Sequence, residues 1–277
     1  MGGLGNQLFQ IFVTIAHSIH NKIPFTFIYS NRDTTRTRPT YWYTLLQSIN
    51  CFTRPEIDST SESMEIVREE GFHYTPLPSH PFQDPNSDIC LIGYFQSYLY
   101  FEDCYSSISQ LLRLSDQKKS VRKNIQLEFD EMISMHFRIG DYKKMQDFHP
   151  VLPYIYYFNS LSEIIRKTGR CEHKVLYFCE KVDYPEVKLT IDQLKEVFPK
   201  ITFIRADESI EDWTQLIMMS CCKNNIIANS TFSWWGAYFN SSVDKIVCYP
   251  DTWLGPALYY HNTDDLCPPT WTKIYVL

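Results

Sequence analysis

The sequence predicts an α/β protein built as two Rossmann-like lobes, residues 1–135 and 136–277, and two observations predict it. Beyond residue 132, short apolar runs alternate with helical stretches, the order that winds a parallel sheet with helices on both faces. The 277 residues, 44% hydrophobic and 21% charged, suffice for two lobes with sizeable cores. No repeat or low-complexity tract interrupts the pattern.

The elements follow in order. A glycine-rich turn, Gly2-Gly3-Leu4-Gly5-Asn6, leads into Gln7 to His20, which has helical periodicity. Ile23 to Tyr29 reads as a strand, Trp42 to Ile49 as a short helix, and Ser59 to Asn86, rich in Ser, Pro and His, as irregular. Cys90 to Phe95 is a second strand, followed by a helical stretch through Leu112. Met132 to Arg138 is a third strand, stopping at Gly140-Asp141. Then come helix Tyr154–Lys167, strand Lys174–Cys179, helix Thr190–Phe198, strand Ile201–Ile204 and helix Glu208–Cys222. Strand Asn225–Ala228, helix Phe232–Asn240 and a last strand, Lys245–Tyr249, complete the series.

Composition narrows the function. The net charge is −6 and no face is rich in Lys and Arg, so nucleic acid is not an expected partner. The runs Arg32–Arg38 and Lys118–Lys123 are short and read as solvated surface. No apolar stretch approaches the roughly 20 residues of a bilayer span and no signal peptide is visible, so a soluble cytoplasmic protein is expected. Nine cysteines without a Cys-x-x-Cys pair fit a reducing compartment and argue against metal binding by cysteine. Aromatic residues reach 16%, which suits sugar faces stacking on rings, although most rings are expected to fill cores.

Three segments carry candidate chemistry. In His136-Phe137-Arg138-Ile139-Gly140-Asp141-Tyr142, Met135 and Phe137 face one side of the strand, His136 and Arg138 the other. Ligands bind at the carboxyl ends of such strands, and a guanidinium there offers always-charged, bidentate donors to a pyrophosphate. On spacing alone, an Arg–Asp surface pair with a core His fits this segment slightly better. In Asn224-Asn-Ile-Ile-Ala-Asn229-Ser230-Thr231-Phe232-Ser233-Trp-Trp-Gly236, a buried strand runs into a helix start, where Ser or Thr caps and free N–H groups favour an anion. Ordinary capping and a packed Trp pair explain the same residues. The opening Gly2-Gly3-Leu4-Gly5-Asn6-Gln7 is similar to a dinucleotide fingerprint but has Leu8 where the third glycine belongs, which disfavours a nicotinamide enzyme. The sequence also has no Asp-x-Asp pair, Gly-x-Ser-x-Gly elbow, Walker loop or His-Glu-x-x-His. A nucleotide-sugar site lacking a metal must neutralise the departing pyrophosphate with Arg and N–H donors. Arg138 and the Ser230–Ser233 helix start are the available candidates.

Taken together and in order, these segments resemble the α-1,2-fucosyltransferases of glycosyltransferase family 11. Gly93-Tyr-Phe-Gln-Ser97 with Tyr100-Phe101, and Asp265-Leu-Cys-Pro-Pro-Thr-Trp271, add to the match, which covers nearly the whole chain. The resemblance implies a GT-B-type fold, two Rossmann-like lobes with a cleft between them. Residues 1–135 would form an acceptor-side lobe whose first strand is missing, and residues 136–277 a GDP-sugar lobe. It implies GDP-fucose as donor, a glycan acceptor, most simply the 2-OH of a galactose, and an inverting reaction with no metal or cofactor. By position, Arg138 is the β-phosphate ligand, supported by His136, with Ser230, Thr231, Phe232 and Ser233, next to Asn229, holding the nucleotide. Asn6 and Gln7 are implied near the fucose and acceptor, and Asp141 is the first candidate for general base.

The chain departs from the family pattern at Ile139, where a second Arg is usual, and at Cys179-Glu180-Lys181, where Ser-Asp-Asp is frequent. Glu180 is therefore the one nearby acid for guanine or ribose. A transferase of another GDP-sugar, GDP-rhamnose or GDP-mannose, and a non-catalytic GDP- or sugar-binding protein remain as alternatives. Acceptor specificity is expected in the irregular segments Arg32–Tyr43 and Tyr74–Asp88.

Overall fold

The computed structural model describes residues 2–29, 39–55, 64–79 and 87–276. The charged run Arg32–Arg38 and much of the two segments expected to select the acceptor lie outside the described residues. Internal contacts divide the chain into two compact units, Met1–Ser115 with His261–Pro268, and Asp116–Tyr260 with Pro269–Leu277. The division falls before the expected boundary at residue 135, and a short return segment belongs to the first unit.

In the first unit, helix α1, Leu4–Asn21, buries Leu8, Phe9, Ile11, Phe12 and Val13. Phe12 meets Phe101 edge-on at 5.3 Å, and the helix stops where Lys22 turns left-handed at φ 56°. Two parallel strand pairs follow, β1 (Phe27–Tyr29) with β2 (Thr53–Pro55), and β3 (Met64–Arg68) with β4 (Asp88–Ile92). Strand β3 lies inside the stretch expected to be irregular. Its alternation of half-buried and exposed residues was masked in the sequence by the polar residues around it. The helix expected at Trp42–Ile49 is instead a turn followed by a 3₁₀ helix, Gln47–Phe52. Helix α2, Tyr105–Leu111, occupies the last part of the stretch expected to be helical.

Helix α3, Leu114–Asn124, contains the lysine run read as solvated surface. Arg122 of α3 donates to Cys221 O at 2.8 Å, and the Lys118 ammonium donates to Phe239 O. These bonds fasten α3 to the second unit and account for the early division. The second unit then alternates as expected: β5 (Met132–His136), α4 (Tyr154–Thr168), β6 (His173–Phe178), α5 (Tyr184–Val197) and β7 (Ile201–Arg205). It continues with α6 (Asp212–Cys221), β8 (Asn224–Ile226), α7 (Thr231–Tyr238) and β9 (Val247–Pro250). A further strand beyond the expected last one, β10 (Thr272–Ile274), pairs with β9. Helix α5 begins earlier than its periodicity suggested because Pro185 suits the first helical turn. Helix α6 begins later, because Asp207 Oδ1 accepts from Ser209 N at 2.9 Å and holds a turn ahead of it.

All six strands are parallel, in the order β10-β9-β8-β5-β6-β7. Numbered from β5 within this unit, that is the 3-2-1-4-5-6 order of a Rossmann sheet, read from its other edge. Ile133, Met135, Phe137 and Ile139 point into a core shared with Tyr156, Leu161 and Ile164 of α4 and Val187, Ile191 and Leu194 of α5. Ser134 and His136 point the opposite way, and Asn225 Nδ2 donates to Ser134 Oγ at 2.7 Å across the strand pair. Trp234 and Trp235 are fully buried and meet edge-to-face at 5.0 Å, so the Trp pair is core. Gly236 permits that packing, since a Cβ there would come within 2.8 Å of Met219 Cβ on α6. Among the described residues no helix is long and apolar enough to cross a membrane, and all nine cysteines are free thiols.

Candidate active site

In this strand order β5 and β8 are neighbours whose following segments lead to opposite edges of the sheet, which makes the crevice at their carboxyl ends the favoured ligand position. Both motif segments emerge there. Arg138 lies two residues beyond β5 with its side chain 18% exposed. Its Nη2 donates to Asp141 Oδ1 at 2.5 Å and its Nη1 donates to Glu180, two residues beyond β6. The guanidinium carbon also sits 5.1 Å from the centre of the Tyr142 ring. The carboxylates gripping Arg138 are much more open, at 42% and 51% exposure, so an anionic ligand can replace them without unpacking anything.

His136 is buried behind this cation, its ring 5.5 Å from that of Phe232. Burial, with the Arg138 charge beside it, pulls its pKa down to about 3. The imidazole is therefore neutral at physiological pH and adds no positive charge for a phosphate; it backs Arg138 sterically. Its Nδ1 is buried with no hydrogen-bond partner among the described residues.

The loop after β5 is held from below. Gly140, at φ 28°, donates its N–H to Asp183 Oδ2 at 2.7 Å, and a Cβ at Gly140 would press within 3.3 Å of Glu180 Oε2. Asp183 is buried and also lies 3.7 Å from the Lys143 ammonium, which pairs with Glu186 at 2.5 Å. Asp183 carried no signal in the sequence because its partners are a distant backbone N–H and a lysine 40 residues away.

The loop after β8 is tied to the same place. Tyr142 Oη donates to Asn229 O at 3.1 Å, and Asn229 Nδ2 donates to Pro150 O at 2.9 Å. Ser230 occupies the N-cap position of α7 with extended backbone, yet its hydroxyl caps no helix N–H. Ser233 is buried, and its Oγ accepts from Ala228 N at 3.2 Å, closing the strand-to-helix turn. Thr231 and Phe232, half-buried, form the first turn of α7, where the helix carries positive partial charge.

One further side chain enters the site. His149 stacks on Tyr142 with ring centres 4.9 Å apart and 21° between planes. Burial and the Arg138 charge lower its pKa, while Asp141 opposes them, so it is a neutral, half-buried imidazole within electrostatic reach of both. It sits 11 residues beyond Arg138 in a polar loop, with nothing but the following Pro150 to mark it in the sequence. Asn6 and Gln7 belong to the first unit. Gln7 Nε2 donates to Gly2 O at 3.0 Å and Pro39 O at 2.9 Å, and Gln96 Nε2 donates to Asn6 Oδ1 at 3.3 Å.

Residues 60–274 match the glycosyl transferase family 11. The chain belongs to that family. It is a glycosyltransferase, with a sugar donor and a glycan acceptor as substrates. It is 26% identical to the O-antigen biosynthesis glycosyltransferase WbnK of Escherichia coli over 315 aligned positions, spanning 99% of this chain and 98% of that protein. It is 24% identical to an alpha-1,2-colitosyltransferase of the same organism, over 99% and 96% of the two chains. Among solved structures, POFUT1 in complex with GDP-fucose aligns over 90% of this chain and 95% of that one, at 12% identity and a TM-score of 0.44. Within this family 11 chain, the Ile139 departure has a structural setting. Ile139 continues the inward row of β5 into the apolar core, whereas Arg138 on the other face remains available.

Proposed function

We propose that this family 11 enzyme transfers fucose from GDP-fucose to a sugar hydroxyl, the 2-OH of a galactose, with inversion and without a metal ion, in a GT-B arrangement. The observation that supports this most directly is Arg138, a largely sheltered cation at the switch point, held by exposed carboxylates and next but one to His136, whose ring lies 5.5 Å from that of Phe232 in α7.

The acceptor hydroxyl attacks the anomeric carbon from the face opposite GDP while the bond to the β-phosphate oxygen breaks, through an oxocarbenium-like state. The charge gathering on the leaving phosphate is taken by Arg138, in exchange for its carboxylates, and by the N–H groups of Thr231 and Phe232. Glu180, released from Arg138, turns to ribose or guanine. The acceptor proton passes to Asp141, freed at the same moment, or to the neutral imidazole of His149. Ser230 and Asn229 line the nucleotide pocket, Ser233 fixes its turn, and Asn6 and Gln7 contact the acceptor.

A second reading, transfer of colitose, is favoured by the 24% identical alpha-1,2-colitosyltransferase. The deciding experiment supplies GDP-fucose, GDP-mannose, GDP-rhamnose and a colitose donor with galactosides and an O-antigen repeat unit. GDP release and the linkage of the product are then measured. Fucosylation at a galactose 2-OH is expected; faster turnover of the colitose donor would replace the first reading with the second.

A further inference from the structure

We infer that His20, Asp103 and Cys104 form a binding site for a zinc-class divalent cation in the first unit, outside the transfer chemistry assigned above. The three residues supply one nitrogen, one oxygen and one sulfur ligand atom, all within 4.8 Å of one another. Nothing in their spacing announces this, because the lone Cys104 and His20 lie 84 residues apart. The fold brings them together: His20 is in the last turn of α1, and Asp103 and Cys104 precede α2.

The geometry is convergent. His20 Nε2 lies 2.8 Å from Asp103 Oδ2 and 3.3 Å from Cys104 Sγ. A nucleophilic Cys–His–carboxylate relay needs the acid on the other ring nitrogen, where it orients the imidazole. Here acid and thiol meet the same nitrogen, which is the arrangement of ligands around a shared centre. With Zn–N, Zn–O and Zn–S bonds of about 2.0–2.3 Å, tetrahedral ligands sit roughly 3.4–3.6 Å apart. The His20–Asp103 and His20–Cys104 separations of 2.8 and 3.3 Å fall a little short of that spacing, so a slight opening there admits the ion, and the fourth position falls to water.

The surroundings agree with this role. His20 and Asp103 are exposed while Cys104 is buried, so the site has a floor and an entry path. The floor is rigid: Cys104 N–H donates to Phe101 O at 3.1 Å, and Phe101 packs against Phe12 of α1. The carboxyl end of α1 carries negative partial charge beside His20, which favours a cation. A bound cation takes Cys104 as its thiolate, so one proton is released per ion captured.

The test titrates the full-length protein with Co²⁺ alone and then with Zn²⁺, reading the sulfur-to-cobalt charge-transfer band, the stoichiometry and the melting temperature. His20→Gln and Asp103→Asn change exposed side chains and leave the fold intact; Cys104→Ser completes the set. The wild type is expected to bind one ion more than His20→Gln, with the cobalt–thiolate band lost in Cys104→Ser. Affinity should fall roughly tenfold or more in Asp103→Asn. Zn²⁺ should raise the melting temperature of the wild type and not that of His20→Gln. Equal stoichiometry and affinity in the wild type and His20→Gln would overturn the site and move the ion to exposed thiols such as Cys51 and Cys171.

Discussion

The ends of β5 and β8 stand side by side in one sheet, yet they are held by opposite means. Beyond β8 the chain is buried and neutral, and its side chains are spent on backbone. Asn229 reaches Pro150 O, Ser233 closes on Ala228 N, and the Trp pair is fully enclosed. Beyond β5 the chain is charged and half open, held by ion pairs whose acidic members face solvent. Neutral buried bonds fix a backbone because nothing in solution replaces them cheaply, whereas exposed ion pairs exchange readily with an anion. On the proposed reading, the β8 end would aim the N–H groups of α7 and the β5 end would offer an exchangeable charge.

The largest effects that could break this contrast are one on each side. Trp234→Ala removes a fully buried ring that also stacks on Tyr238 at 4.6 Å, and is expected to cost about 3–5 kcal/mol of stability, measured by urea unfolding. Arg138→Ala should leave the unfolding midpoint nearly unchanged while lowering the rate of transfer by roughly 10²–10³. An Arg138→Ala protein that unfolds, or one that transfers at the wild-type rate, would show that β5 is scaffold as well.

The same contrast governs what could be read from the sequence. The β8 segment was legible because an apolar strand, a Ser-Thr helix start and two Trp in immediate succession are all local signals, although the Ser230 hydroxyl expected to cap the helix makes no such bond. Arg138 was legible only as a residue at a strand end; spacing alone favoured a surface pair with Asp141, and that pair is present. Its second partner, Glu180, lies two residues beyond the neighbouring strand β6, a pairing set by the sheet order. Asp183 and His149 were invisible for the same reason. Their roles come from Gly140 N–H, Lys143 and the Tyr142 ring, contacts that tertiary structure makes and periodicity does not encode. Strand β3 and helix α3 were missed where polar residues hid a half-buried pattern.

A smaller effect sharpens the role of the β8 loop. Asn229→Ala deletes the bond to Pro150 O, and also removes Asn229 Oδ1, which is itself buried without a partner among the described residues. The stability loss should therefore sit at the low end of the roughly 1–3 kcal/mol for an orphaned buried group. The loop it ties carries Tyr142 and His149, so KM for the donor should rise more than kcat falls. A fall in kcat alone would assign Asn229 to the chemical step.

A last contrast separates the two ends by pH. His136 is held at about 3 in the folded chain, against 6.5 for a free imidazole. Between those values the unfolded chain takes up a proton that the folded chain refuses, so stability is full above 6.5 and declines as the pH falls towards 3. The slope is on the order of 1 kcal/mol per pH unit. His149 and His173, also lowered by burial, tilt the curve the same way, so the measurement is the difference between variant and wild type. Urea midpoints near neutral pH and at mildly acidic pH should converge in His136→Gln relative to the wild type. Asn229→Ala should keep the wild-type slope, because residues 229 to 233 contain no group that titrates in this range. If His136→Gln retained the full acid sensitivity, the charge contrast between the two strand ends would not extend behind Arg138.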